Sequence, residues 1–232
     1  MLMDGKELAK DIKAKIKAEI DDIKRIYNVN PTVASILVGD NQASQVYLNS
    51  QIKSYQDLGI GVQKYFFSKE ISEAYLLNLI DKLNKDTEVD GIMINLPLPP
   101  QISATKVLNR IKLIKDVDGF KAENLGLLFQ NNEDFISPST PAGIMALIEG
   151  YNIDLEGKDV VVVGRSNIVG KPVAALVLNN HGTVTICNSH TRNLAEKTKN
   201  ADVLISAVGK PKFITEDMVK EGAVVIDVGI NR

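Results

Sequence analysis

Tyr47 and Gln51 stand four residues apart in a stretch of helical spacing, so they share one face, with Ser44 and Ser54 beside them. A tyrosine on a polar helix face beyond a strand can line a pocket; a surface or half-buried tyrosine is the plainer alternative. Asn95 ends an apolar run and is followed by Leu96-Pro97-Leu98-Pro99-Pro100, a stiff, non-helical exit with few backbone donors. Such a segment is either an ordinary loop or a rigid wall that presents Asn95 to a ligand. Lys115-Asp116-Val117-Asp118-Gly119-Phe120 brings two acids together without the further ligands of a calcium loop. It is either a turn with a solvated acid or a carboxylate set to grip a planar pair of N–H donors on a ligand.

Another candidate is Gly164-Arg165-Ser166 through Gly170-Lys171-Pro172, which joins the β-branched run 160–163 to an apolar helical stretch at 173–178. A strand that stops at glycine and feeds a helix N-terminus leaves backbone N–H groups free to hold phosphate. The pattern is not the common G-x-G-x-x-G, because Ser166 takes the second glycine position; an ordinary tight turn is the alternative. Further strands are expected at 183–187, 203–207 and 223–228 with helical stretches between them, a βαβαβ series suited to a parallel, doubly wound sheet. An NAD site usually places an acid at the end of the second strand. Here that strand runs into Cys187-Asn188-Ser189-His190-Thr191-Arg192, with no acid. Arg165 and the hydroxyls nearby suit the 2′-phosphate of NADP instead.

The elements that must position these residues begin with Asp4 and Glu7, a capping pattern ahead of Leu8, Ile12, Ile16, Ile20 and Ile23 at helical spacing. Residues 28–31 break that amphipathic helix. Strands are expected at 32–38, 62–67 and 91–96, with helices at 43–58 and 71–83 between them, making another βαβαβ unit. The loop-rich stretch 131–140 separates the halves, and 141–151 reads as a helix entering the second. The fold class is therefore α/β with two domains, at 1–139 and 140–232, and a ligand cleft is expected between them.

The 232 residues suffice for two modest domains, and 44% hydrophobic with 24% charged residues is ordinary for a globular chain. A net charge of −2 gives no case for nucleic acid or an anionic membrane. One cysteine, Cys187, excludes an intrachain disulfide and suits a reducing cytoplasm, and the two histidines offer no zinc spacing. No apolar run is long enough for a membrane span, and no signal peptide precedes the first helix.

Taken together these stretches resemble the bifunctional methylenetetrahydrofolate dehydrogenase / methenyltetrahydrofolate cyclohydrolase family. The resemblance is carried by Val38-Gly39-Asp40 with Ala43-Ser44-Gln45-Val46-Tyr47, Leu96-Pro97-Leu98-Pro99, Asp116-Val117-Asp118-Gly119-Phe120 and Thr140-Pro141-Ala142-Gly143-Ile144. Gly164-Arg165-Ser166 through Gly170-Lys171-Pro172 and Asp227-Val228-Gly229-Ile230-Asn231-Arg232 complete it. It implies a folate-binding catalytic domain followed by a Rossmann-like NADP domain, tetrahydrofolate derivatives as substrates in one-carbon metabolism, and a homodimer formed through the second domain. Tyr47 would line the folate pocket, Asp118 would hold the pterin, and Gly164, Arg165, Ser166, Ser189 and Ile230 would contact the cofactor.

Where the family carries a lysine four residues after its tyrosine, for cyclohydrolase chemistry, this chain has Gln51, and Lys53 points about 200° round the helix from Gln51. Asn95 replaces a usual glutamine, Ser139 a usual cysteine and Asn188 a frequent histidine. The family pattern also continues beyond Arg232 through a Pro-Gly-Gly-Val-Gly-Pro-Met-Thr segment, not present in this sequence, and a helix that packs back on the first domain. The expectation is an NADP-dependent dehydrogenase with impaired cyclohydrolase. The alternatives are a folate- and NADP-binding protein without useful turnover and an oxidoreductase for another substrate on the same plan.

Overall fold

A computed structural model describes residues 2–40 and 42–229. The chain divides into two compact units, 4–122 and 123–232 with 1–3. In the first, α1 (Gly5–Tyr27) starts at Asp4, whose carboxylate accepts from the Lys6 and Glu7 amides, and ends at Asn28 in the left-handed region. Its apolar stripe is only thinly covered: Ile20 is buried, while Ile16 and Ile23 stay 38% and 40% exposed.

β1 (Thr32–Val38) is the middle strand of a parallel sheet ordered β2-β1-β3, with β2 at Gly61–Phe67 and β3 at Gly91–Ile94. A strand paired on both edges and covered on both faces must be apolar throughout, and β1 is buried from Val33 to Val38. One face packs Val33, Leu37 and Met93 on Leu48 and Ile52 of α2 (Gln42–Asp57). The other packs Ala34, Ile36 and Val38 on Leu76, Ile80 and Leu83 of α3 (Glu73–Lys85) and on Val107 of α4 (Ala104–Arg110). Ser35 interrupts the run with a fully buried hydroxyl that has no hydrogen-bond partner among the described residues.

The second unit holds α5 (Ala122–Phe129), α6 (Ser139–Gly150), β4 (Asp159–Val163), α7 (Gly170–Asn179), β5 (Thr183–Cys187), α8 (Leu194–Lys199), β6 (Val203–Ser206) and β7 (Val224–Asp227). The four strands are parallel in the order β5-β4-β6-β7. Val160, Val162, Val203 and Ile205 pack on α6 and α7, and Val161, Val163 and Leu204 pack on the opposite side with Ala201 and Leu194. The doubly wound α/β expectation therefore holds. One connection differs from it, since β6 reaches β7 through a short 3-10 turn at Glu216–Met218 and not an α-helix.

The division at Ala122/Glu123 also precedes the expected boundary at 139/140. The reason is local: α5 and the loop after it are tied into the second unit. Asn124 Oδ1 accepts from the Ile136 amide at 3.1 Å, and Asn179 Nδ2 donates to the Leu128 carbonyl at 2.8 Å.

Candidate functional site

In the first unit the chemistry-bearing side chains lie on α2, at the end of β3 and in the 116–119 loop. Residues 47, 51 and 55 of α2 repeat at i, i+4, i+8 and so share one stripe. Gln51 Nε2 lies 3.4 Å from the half-exposed Tyr47 hydroxyl, a long contact. Gln51 Oε1 is buried without a hydrogen-bond partner among the described residues. The Tyr55 hydroxyl donates to the Met93 sulfur of β3 at 3.5 Å. Lys53 is exposed, off this stripe.

Asp118 completes the cluster. Burial first, and then the neighbouring Asp116 carboxylate, raise its pKa to about 7. Its negative charge adds to burial in raising the Tyr47 phenol and in pushing Tyr55 up to about 12. These couplings place Asp118, Tyr47 and Tyr55 within electrostatic reach of one another. By spacing alone Tyr55 falls with Leu48 and Ile52 on an apolar face of α2. Its period-four distance from Tyr47 through Gln51 is the signal that could have added it.

Asn95 is 7% exposed, just past β3. Its amide N–H continues the sheet by donating to the Ile36 carbonyl at 2.9 Å, and its Nδ2 reaches the same oxygen at 3.3 Å. One side-chain N–H is thus engaged with β1, which leaves the other N–H and Oδ1 for a ligand.

The second unit gathers its candidates where β4 and β5 end. Val163 pairs with Cys187, and the Gly164 amide donates to the Cys187 carbonyl at 2.9 Å, so the turns after these strands are neighbours. Arg165 on one and Ser189 on the other are both exposed. Ser166 Oγ accepts from the Val169 and Gly170 amides at 3.1 and 3.4 Å, closing the turn that a second glycine would otherwise make. Gly164 has φ +130°, and a Cβ on Gly170 would lie 2.1 Å from the Gly164 carbonyl oxygen. Gly170→Ala is therefore expected to destabilise the protein by about 1–3 kcal/mol in denaturant titrations. An unchanged unfolding midpoint would show that the turn can open.

Ile230 lies outside the described residues. A groove of about 620 Å³ lined by Thr191, Arg192, Asn193, Glu196 and Lys197, among others, reaches Cys187 at the end of β5 but includes none of Gly164, Arg165, Ser166 and Ser189. Among the described residues no group of three or more His, Cys, Asp or Glu could hold a metal ion, and no helix is long and apolar enough to cross a membrane.

Comparison with known proteins matches each half separately. The family model for the tetrahydrofolate dehydrogenase/cyclohydrolase catalytic domain covers residues 3–118, and the one for its NAD(P)-binding domain covers 138–232. The bifunctional protein FolD of Fusobacterium nucleatum is 88% identical over all of this chain, which spans 82% of that relative. The crystal structure of the bifunctional enzyme FolD from Campylobacter jejuni superposes with a TM-score of 0.97 at 44% identity, covering 100% of this chain and 82% of that one. A Trypanosoma brucei relative, solved with NADP cofactor and inhibitor, gives 0.95 at 31% identity, covering 99% and 78%. Both halves are matched in the same order, and the likeness extends from motif to backbone: the chain belongs to the tetrahydrofolate dehydrogenase/cyclohydrolase family.

Proposed function

We propose that the chain catalyses NADP-dependent oxidation of methylenetetrahydrofolate to methenyltetrahydrofolate, with methenyltetrahydrofolate cyclohydrolase activity that is weak for want of a titratable group at Gln51. The observation that carries this reading is the half-buried carboxylate of Asp118 grouped with Tyr47 and Tyr55 in the unit that matches the family's catalytic domain.

The second unit fits NADP. Gly164 and Gly170 keep the turn clear of side chains, and Arg165 is exposed and makes no ion pair with the described residues. Arg165 and Ser189 would hold the 2′-phosphate, with Gly164 and Ser166 shaping the turn under the pyrophosphate. When bound, NADP supplies the acceptor for the hydride that leaves the methylene carbon of the folate. No side chain has to take a proton in that step, because the folate nitrogens stabilise the developing cation. Asp118 grips the pterin N–H groups and Tyr47 borders the ring, so the chain acts chiefly by placement. Ring opening is different: water must add and a proton must move. The Gln51 amide can orient water but cannot titrate.

A folate-dependent reduction of NADP⁺ by the purified protein tests the reading. Binding of both ligands without turnover would make it a binding protein instead. Arg165→Ala should raise KM for NADP far more than KM for NAD. Equal changes in both, or wild-type use of NAD as good as that of NADP, would remove the 2′-phosphate from Arg165.

The family's homodimer through the second domain belongs to the same proposal. In support, β5 is an edge strand with Thr185 and Ile186 exposed. A cytoplasmic setting is supported by the single cysteine, buried at Cys187.

A further inference from the structure

Lys115 is a buried cation that stands on main-chain carbonyls. It is 8% exposed, and its ammonium donates to the Leu83 carbonyl at 2.8 Å and to the Asp86 carbonyl at 2.6 Å. Both acceptors belong to the C-terminal end of α3, where unsatisfied carbonyls and the helix dipole favour a positive charge. Taking an ammonium out of water is costly unless such partners wait for it, and an aliphatic side chain could fill the same space without that cost. The cation therefore specifies a geometry that packing alone would not.

What it holds is the approach to Asp118. Asn84, also on α3 and 8% exposed, donates to the Arg110 carbonyl at 2.8 Å and accepts from the Lys112 amide at 2.9 Å. Arg110 grips Asp81 of α3 through two contacts of 2.6 Å. Main chain 110–115 is thus moored to one helix at three successive points, the last of them Lys115. Directly afterwards Asp116 bridges to Ile92 of β3, and its Oδ2 accepts from the Lys121 amide at 2.8 Å. Asp118 stands between these moorings, followed by Gly119 at φ +69°.

We propose that Lys115 is a positioning residue for the dehydrogenase substrate: seated on the C-terminal carbonyls of α3, it fixes the loop that carries Asp118 and so sets folate affinity without touching the folate. The proposal rests on the reading that Asp118 holds the pterin. Lys115→Met keeps the stem and removes the charge, Lys115→Arg keeps the charge, and Lys115→Gln keeps a donor without charge. Steady-state kinetics should show KM for methylenetetrahydrofolate raised about tenfold by Lys115→Met, on the scale of one charge-assisted hydrogen bond. KM for NADP should be unchanged, and Lys115→Arg should restore most of the loss. In an Asp118→Asn background Lys115→Met should add little, because the group it positions is gone. If Lys115→Met does not fold, Lys115→Gln is measured in its place, with the same comparisons and a smaller rise. A wild-type folate KM in the Lys115 variant beside a weakened Asp118→Asn protein overturns the role of Lys115 alone. So does a loss of equal size in the presence and absence of Asp118. Wild-type folate affinity in Asp118→Asn itself overturns the pterin assignment, and this proposal with it.

Discussion

Gln51→Lys should raise cyclohydrolase turnover about 10²–10⁴-fold over a weak wild-type rate, the usual worth of one general acid–base group. The geometry supports so large a gain from a single change. Position 51 lies on the α2 stripe between Tyr47 and Tyr55, and Gln51 Oε1 is already buried there without a partner among the described residues. Lysine is close to glutamine in reach and brings an amine whose pKa its surroundings can tune. The new ammonium would also stand near Asp118 and stabilise its ionised form, drawing its pKa down from about 7. The rate is read as decay of methenyl absorbance, corrected for the uncatalysed reaction. The carboxyl pKa is read independently by NMR titration. Rapid decay with the unaltered protein would end the argument, since Gln51 or bound water would then suffice. A lysine variant no faster than wild type would move the cause to Asn95.

Asp118→Asn should weaken folate binding by about ten- to a hundredfold while NADP binding stays the same. The substitution exchanges a two-acceptor carboxylate for an amide with donors of its own, at a loss of roughly 1.5–3 kcal/mol. Equal folate affinities by calorimetry would reduce Asp118 to a turn residue. The same substitution should stabilise the unliganded protein. Folded Asp118 titrates near 7, whereas an aspartate in an unfolded chain titrates near ~3.9. Between these values the native protein keeps a proton that the unfolded chain has released, so wild-type stability falls as pH rises from about 4 to 7 and remains lower above that. Asparagine carries no such penalty. The variant should therefore exceed wild type by on the order of 1–3 kcal/mol at pH 8 and converge with it near pH 4. Folate binding by the unaltered protein should strengthen as pH rises through 7, because the ionised carboxylate is the form that accepts the pterin N–H groups.

The central strands were the most legible part of the sequence, since a parallel strand buried on both faces leaves a continuous apolar run. The expected bounds 32–38 coincide with β1, and 160–163 misses only Asp159 of β4; the bounds 183–187 also coincide with β5, although that strand is a largely exposed edge and burial on both faces does not explain the match. Short helices were not legible: α4 and α5 have seven and eight residues, too few turns for a period to emerge. The glycine turn could be read as a turn, but the reason for Gly170, a carbonyl pressed against it, appears only in three dimensions. In the first unit, Tyr47, Gln51 and Asp118 stood out by residue type and spacing, and the structure puts Gln51 beside Tyr47 and Asp118 within electrostatic reach of it. Lys115 did not stand out, because its acceptors are main-chain oxygens about thirty positions earlier and no side-chain pattern marks them.

In each sheet the strand that comes first along the chain is also an interior one: β1 lies between β2 and β3, and β4 between β5 and β6. On the ribosome this order has a cost in time. β1 leaves the exit tunnel with neither neighbour yet made, and β3 follows about 50 residues later, which at 5–20 residues per second is roughly 3–10 s. Until β2 emerges about 23 residues on, one of the most apolar strands of the chain has two bare edges, and its β3 edge stays bare for the rest of that interval. Nascent chains of this protein should therefore depend on holding chaperones most strongly just after each of these strands emerges, and far less once the third strand of that sheet has docked.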